Sequence, residues 1–179
     1  MRKIVLGSVF AIALAAAGVA AAAAVTHQSS SSPASGKATA GRVTLHTTKV
    51  GKVLATSSGR TLYLFMADKH GRSACYGKCA TDWPPLMKKG KVSASTGVKS
   101  KLFGTTKRKN GRLQVTYKGH PLYLFFLDHG AGQIAGQGQN FFGGKWFVLS
   151  AAGKAIKKAP PAGGGTTGGT STYTVPGYP

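Results

Sequence analysis

The segment Gly59-Arg60-Thr61-Leu62-Tyr63-Leu64-Phe65-Met66-Ala67-Asp68 returns sixty residues later as Gly119-His120-Pro121-Leu122-Tyr123-Leu124-Phe125-Phe126-Leu127-Asp128. Gly, Leu, Tyr, Leu, Phe and Asp coincide at identical offsets with no gap, and a Trp follows each copy, Trp83 and Trp146. A chain with such self-similarity folds as one supersecondary unit used twice. The acid count sharpens the point, because the chain has only three carboxylate side chains, Asp68, Asp82 and Asp128, and two of them close the two copies.

The side-chain period of two along an extended segment puts Tyr63, Phe65 and Ala67 on one face and Leu62, Leu64 and Met66 on the other. Both faces are apolar, so the strand is central and covered on both sides, or part of a small folded-over sheet. Turn residues and short apolar runs predict a hairpin from Lys52 to Thr56, a turn over Ser57 to Arg60, and a return over Thr61 to Ala67. A second hairpin is expected from Leu113 to Tyr117, turning at Lys118-Gly119-His120 into Pro121 to Leu127. Asn110-Gly111 marks a further hairpin turn, and Lys145 to Leu149 reads as a final strand. The expected fold is mainly β: two hairpin-based repeats packed into one small domain, with a short helical turn around the two Cys.

The domain is expected over 42–150, with repeat one at about 42–90 and repeat two at about 100–150. Met87 to Lys91 reads as a basic turn opening the linker between the copies. Gly130 to Gly138 reads as a long flexible loop. Residues 25–41 are too poor in apolar side chains to offset the entropy of ordering them and read as a tether. Residues 151–179, rich in Lys and then in Pro, Gly and Thr, read as a disordered tail.

Met1-Arg2-Lys3 followed by an apolar run to about Ala20 and small residues to Ala24 has the pattern of a secretory signal peptide over 1–24. A retained signal anchor is the alternative, since the run approaches the length of a bilayer span. No Cys follows the apolar run closely, so the sequence has no lipobox. The formal charge of +21, from 24 Lys and Arg, draws such a chain to polyanions. Export makes nucleic acid a poor partner in vivo and leaves an anionic cell-wall polymer or membrane surface. Lys107, Arg108, Lys109 and Arg112 around the Asn110-Gly111 turn form the densest basic cluster and are the candidate polyanion contacts.

Asp68 and Asp128 fall where their strands end, just ahead of turns. An Asx-turn holding the backbone is one reading; a carboxylate paired with a cation or ligand is the other. Cys75 and Cys79 stand four apart and share a face of a helical turn. In an oxidising compartment they are expected to form a disulfide. The alternative is a copper or redox site in which Cys75 and Cys79 are joined by Met66 and His70. No other cofactor is expected. There is no Glu and no Gly-x-Ser-x-Gly elbow, and His120 or His129 with one Asp is too little for a triad, so no catalytic residue is assigned and a non-enzymatic role is expected.

Through Tyr63, Phe65 and Asp68, and again Tyr123, Phe125 and Asp128, the chain resembles a bacterial family of secreted repeats or predicted lipoproteins with a Tyr-x-(Phe/Trp/Tyr)-x-x-Asp motif. The resemblance extends through Ser73-Ala74-Cys75-Tyr76-Gly77-Lys78-Cys79 with Trp83-Pro84-Pro85, through Gln114 to Tyr117, and to Phe142-Gly143-Gly144-Lys145-Trp146. It implies an exported, envelope-associated protein of unknown biochemical function. Two departures stand out: the lipobox Cys carried by many relatives is missing, and Asn110 replaces a frequent Asp. The functional expectation is a non-catalytic envelope module contacting anionic polymers, with a copper or electron-transfer protein using Cys75 and Cys79 as the alternative.

Overall fold

Alternating apolar and polar side chains draw the first described residues into a hairpin, in which β1 (Thr39–Thr48) pairs antiparallel with β2 (Gly51–Thr56) in the register Leu45 to Leu54. The computed structural model describes residues 39–160, so the expected signal peptide, most of the tether and residues 161–179 lie outside the described residues. After β2 the chain turns through Ser57 to Arg60, and Leu62 N–H donates to Leu54 O at 2.9 Å. The expected first hairpin therefore forms. It ends at Leu62, where the key strand leaves β2 for a different partner.

That strand, β3 (Tyr63–Phe65), pairs on one side with β9 (Gly144–Val148), which sets Phe65 opposite Trp146. On its other side Tyr63 forms an antiparallel bridge with Tyr123, its N–H to Tyr123 O at 2.9 Å and the reverse bond at 3.0 Å. The second copy repeats the manoeuvre. β6 (Leu113–Tyr117) pairs with β5 (Phe103–Lys107) and with β7 (His120–Pro121), and Leu122 still bonds Val115 before Tyr123 departs. The outer side of this strand is met by residues 82–86. Pro85 bridges Tyr123, Leu124 N–H donates to Pro84 O at 2.9 Å and Phe126 N–H to Asp82 O at 3.0 Å, so Trp83 lies opposite Phe125. Each repeat thus lends its Trp segment to the key strand of the other.

Both faces of the key strands are buried, as their sequence requires. Leu62, Leu64, Leu122 and Leu124 join Leu54, Leu86 and Leu149 in an aliphatic core. Tyr63, Phe65, Tyr123 and Phe125 join Trp83 and Trp146 in an aromatic one. Four rings stack in the second core: Phe65 on Trp146 at 4.0 Å, Trp146 on Trp83 at 3.9 Å, and Trp83 on Phe125 at 4.1 Å. Tyr63 and Tyr123 stand edge-on to Trp83 and Trp146 at 5.3 and 5.1 Å. Each such pair adds about 0.5–1.5 kcal/mol beyond its buried area. Met66 and Phe126, one position further along, are exposed because the chain there turns off the sheet.

The remaining elements frame this centre. The short helix α1 (Lys78–Asp82) follows Gly77, whose φ of 55° suits a residue without a side chain, and carries Cys79. β4 (Met87–Ala94) runs parallel to β1, giving the sheet order β2-β1-β4-β6-β5. This corrects the expectation of a basic turn at Met87 to Lys91. Backbone pairing with β1 holds the strand while its lysines stay in solvent, and Gly90 at φ 70° sits in the bulge where the register shifts. β8 (Asn140–Phe141) pairs with β9.

Two further expectations are corrected by hydrogen bonds that composition does not announce. The Gly130 to Gly138 segment is a fixed part of the core wall: Ala135 N–H donates to Asp128, and Gln137 Oε1 accepts Val148 N–H at 2.9 Å. The domain also passes its expected limits, beginning at Thr39 and running beyond Leu149 through a bridge to Ala155 and a bond from Ile156 N–H to Val148 O. Gln137 Nε2 ties this extension down by donating to Ile156 O at 2.6 Å.

Gly136 packs against Trp83 so closely that a Cβ there would lie 2.5 Å from the indole. The ring is clamped in the stack and has no room to yield. Gly136→Ala is expected to lower stability by about 1–3 kcal/mol through overpacking, read as a shift of the urea midpoint.

Candidate functional site

The six motif residues converge on one constellation, and the convergence crosses between copies. Tyr63 donates its hydroxyl to Asp128 Oδ2 at 2.6 Å, and Tyr123 donates to Asp68 Oδ2 at 2.9 Å. Antiparallel pairing at Tyr63 and Tyr123 makes this reciprocal, since each tyrosine reaches over its partner strand to the acid three residues past the other copy's Phe. The second oxygen of each acid secures its own loop. Asp68 Oδ1 accepts Ala74 N–H at 2.7 Å, and Asp128 Oδ1 accepts Ala135 N–H at 2.9 Å. Neither is a simple Asx-turn, because the bonded amides lie six and seven residues ahead.

Burial raises both carboxyls from the ordinary 3.8 to about 6, against the opposing pull of these hydrogen bonds and of Arg108 near Asp68 and Arg60 near Asp128. The tyrosines move the same way: burial and the facing carboxylate hold both hydroxyls well above their usual value, so they stay protonated donors. Phe65 and Phe125 take part only through the ring stack. Each carboxylate thus bonds one tyrosine hydroxyl of the other copy and one backbone amide of its own loop, an arrangement that locks the two copies together.

The lock adjoins a surface groove. Tyr123 Oη lies 2.8 Å from Ser73 Oγ, and Ser73 Oγ accepts from Arg108 Nη1 at 2.8 Å. Arg108 also donates to Gln114 Oε1 and to Cys75 O, each at 2.6 Å. This corrects Arg108 as an exposed polyanion contact: its side chain is buried and donates to three protein acceptors, so it shapes the groove floor. The other cluster members divide. Lys107 and Lys109 are exposed and line the groove, Lys109 with its ammonium over the Tyr76 ring at 4.9 Å, while Arg112 is exposed outside it. The groove has a volume of about 660 Å³ and is also lined by His70, Arg72, Thr105, Thr106 and Thr116.

Cys75 and Cys79 form a disulfide with Cα atoms 5.2 Å apart. The bond holds Tyr76 and the Cys75 carbonyl against Arg108, and it consumes the two thiolates that the copper reading needs. Met66 is half exposed on its turn, and among the described residues no three His, Cys, Asp or Glu side chains converge. Ser73, Gln114, Arg60 and Tyr76 were not singled out from the sequence. Arg60, Ser73 and Tyr76 take their roles from partners tens of residues away, and Gln114 takes its role from its neighbours across the hairpins, for which no local spacing signals.

With this geometry in view, the family model described as a secreted repeat of unknown function matches residues 44–87 and 104–150. The chain belongs to this secreted-repeat family. Each matched segment ends just past the Trp that it lends to the other, so the family unit is the exchanging unit seen in the fold. No curated protein matches the chain, and no solved structure does.

Because the folded carboxyls lie near 6 and the unfolded ones near 3.8, folding takes up protons between these values. Their contribution to stability is complete below about 3.8 and is lost as pH rises through 6. The stability difference between the native protein and the Asp68→Asn/Asp128→Asn double variant is therefore expected to shift against the native protein from pH 4 to pH 7, measured by urea melts at each pH. Tyr63→Phe is expected to cost about 1.5–3 kcal/mol, because it leaves a buried carboxyl short of a donor. The Tyr63→Phe/Asp128→Asn double variant is expected to fall short of the sum of the two single effects.

Proposed function

We propose that this secreted protein is a non-catalytic envelope module that contacts anionic polymers through its outward-facing cations. One observation carries the reading: the fold turns its few acids inward and its many bases outward. Asp68 and Asp128 are spent on the tyrosine lock, and Asp82 is largely buried with Lys78 Nζ at 3.3 Å. Over residues 41–160 every Lys and Arg except Arg60 and Arg108 is exposed. With only three acids in the whole chain, the counter-charge for this surface comes from outside the molecule.

The cations are spread over several faces, on β1, β4, the β5 to β6 turn and the segment after Leu149, which suits an extended polyanion better than a small ligand. Interactions of this kind are screened over about 10 Å at 0.1 M salt and about 3 Å at 1 M. The disulfide-bonded protein is expected to be retained on a phosphocellulose matrix at low salt and released as salt rises through a few tenths molar. Retention that persists unchanged at 1 M salt, or no retention at low salt, would sink the reading.

A further inference from the structure

The groove beside the lock is concave, floored by the buried Arg108 and lined by three threonines. We propose that it is a discrete, one-per-chain site for the phosphate groups of a phosphodiester-linked polyol or sugar chain; this rests on the polyanion reading and gives it an address. The floor is built rather than accidental, since the buried Arg108 guanidinium is fixed by Ser73, Gln114 and the Cys75 carbonyl. The Tyr76 ring, between the Cys75 and Cys79 of the disulfide and with Arg108 at 4.5 Å and Lys109 at 4.9 Å, sets one wall. Lys107, Lys109 and Arg72 supply charge at the rim, and Thr105 and Thr106 supply hydroxyls between them. No carboxylate lines the groove.

The chemistry suits phosphate. The Arg108 fork donates to three protein acceptors, so the exposed cations of the groove are Lys107, Lys109 and Arg72, and an arginine fork serves a phosphate as readily as a carboxylate. Lysine ammonium groups are compact point charges with several donors, which suit the several oxygens of a phosphate diester, and threonine hydroxyls suit the linking polyol. A volume of about 660 Å³ holds one or two such units of a chain that enters and leaves. A flat bilayer face would not fill it.

The test uses the full disulfide-bonded protein with a synthetic glycerol-phosphate trimer, titrated calorimetrically at about 0.15 M salt. One trimer is expected per chain. Lys107→Ala/Lys109→Ala is expected to weaken binding about tenfold or more, as losing two charge-assisted hydrogen bonds implies. Lys49→Ala/Lys52→Ala removes the same charge at the opposite edge of the main sheet and is expected to change it by about twofold or less. Thr105→Val alters no charge and is expected to weaken the trimer several-fold while leaving phosphocellulose retention intact. Equal weakening by the two lysine pairs would overturn the groove site and leave the broader surface reading standing. A hexuronate oligomer that binds as tightly and depends on the groove as strongly would overturn the phosphate assignment. Groove-dependent binding to phosphatidylglycerol vesicles with none to the trimer would replace the polymer by a membrane. Loss of salt-sensitive retention in the native protein would strike the surface reading instead, whatever the trimer does.

Discussion

The antiparallel bridge between Tyr63 and Tyr123 is the constraint from which the rest follows. Two backbone hydrogen bonds at one residue from each copy fix a local two-fold relation. That relation then dictates which side chains meet. Each hydroxyl is carried to the other copy's acid, each Trp segment is carried to the other copy's key strand, and the four-ring stack forms where the two exchanges cross. Isologous pairing of this kind satisfies two buried polar groups with one geometry, so a single favourable arrangement is used twice. The cost is also visible: Trp83 Nε1 is buried without a hydrogen-bond partner among the described residues, whereas Trp146 Nε1 donates to Phe141 O at 3.3 Å. Ring packing wins over one unsatisfied donor at that position.

The two halves are not equivalent in what they add. Behind Asp68 lie the disulfide, Ser73 and Arg108, and they open onto a groove. Behind Asp128 lies the glycine-rich run, closed down on Trp83 by Gly136 and tied to the final strand by Gln137. A shared lock thus supports a built surface feature on one side and a sealed wall on the other. The interior is nearly symmetric and the surface built on it is not.

Much of the interior was legible in the sequence because it rests on periodicity and duplication. The two faces of the key strand, the turns at Ser57 to Arg60 and at Asn110-Gly111, the helical turn and the disulfide follow from local chemistry. The exchange of Trp segments was not legible, since Trp83 and Trp146 read as following their own copies and nothing nearby says whose strand they edge. β4 escaped for a related reason: its lysines obey no burial pattern, because only its backbone is needed. Arg108 was grouped with its neighbours by charge, yet besides Gln114 on its own hairpin it is held by Ser73 and the Cys75 carbonyl, on a distant segment that its turn does not reveal. The tie between each acid and the opposite tyrosine was open only to the extent that scarce acids at matched positions invited a question.

The exchanged Trp segments also bear on how such a chain is assembled. A single repeat, taken alone, would present an aromatic strand without the indole that covers it and an acid without its phenol. Two identical half-chains would supply each other with both. The unit is therefore self-complementary, and a covalently joined pair behaves as a homodimer whose subunits were fused end to end. Partnering becomes intramolecular and independent of concentration, which suits a protein diluted into the space outside the cell.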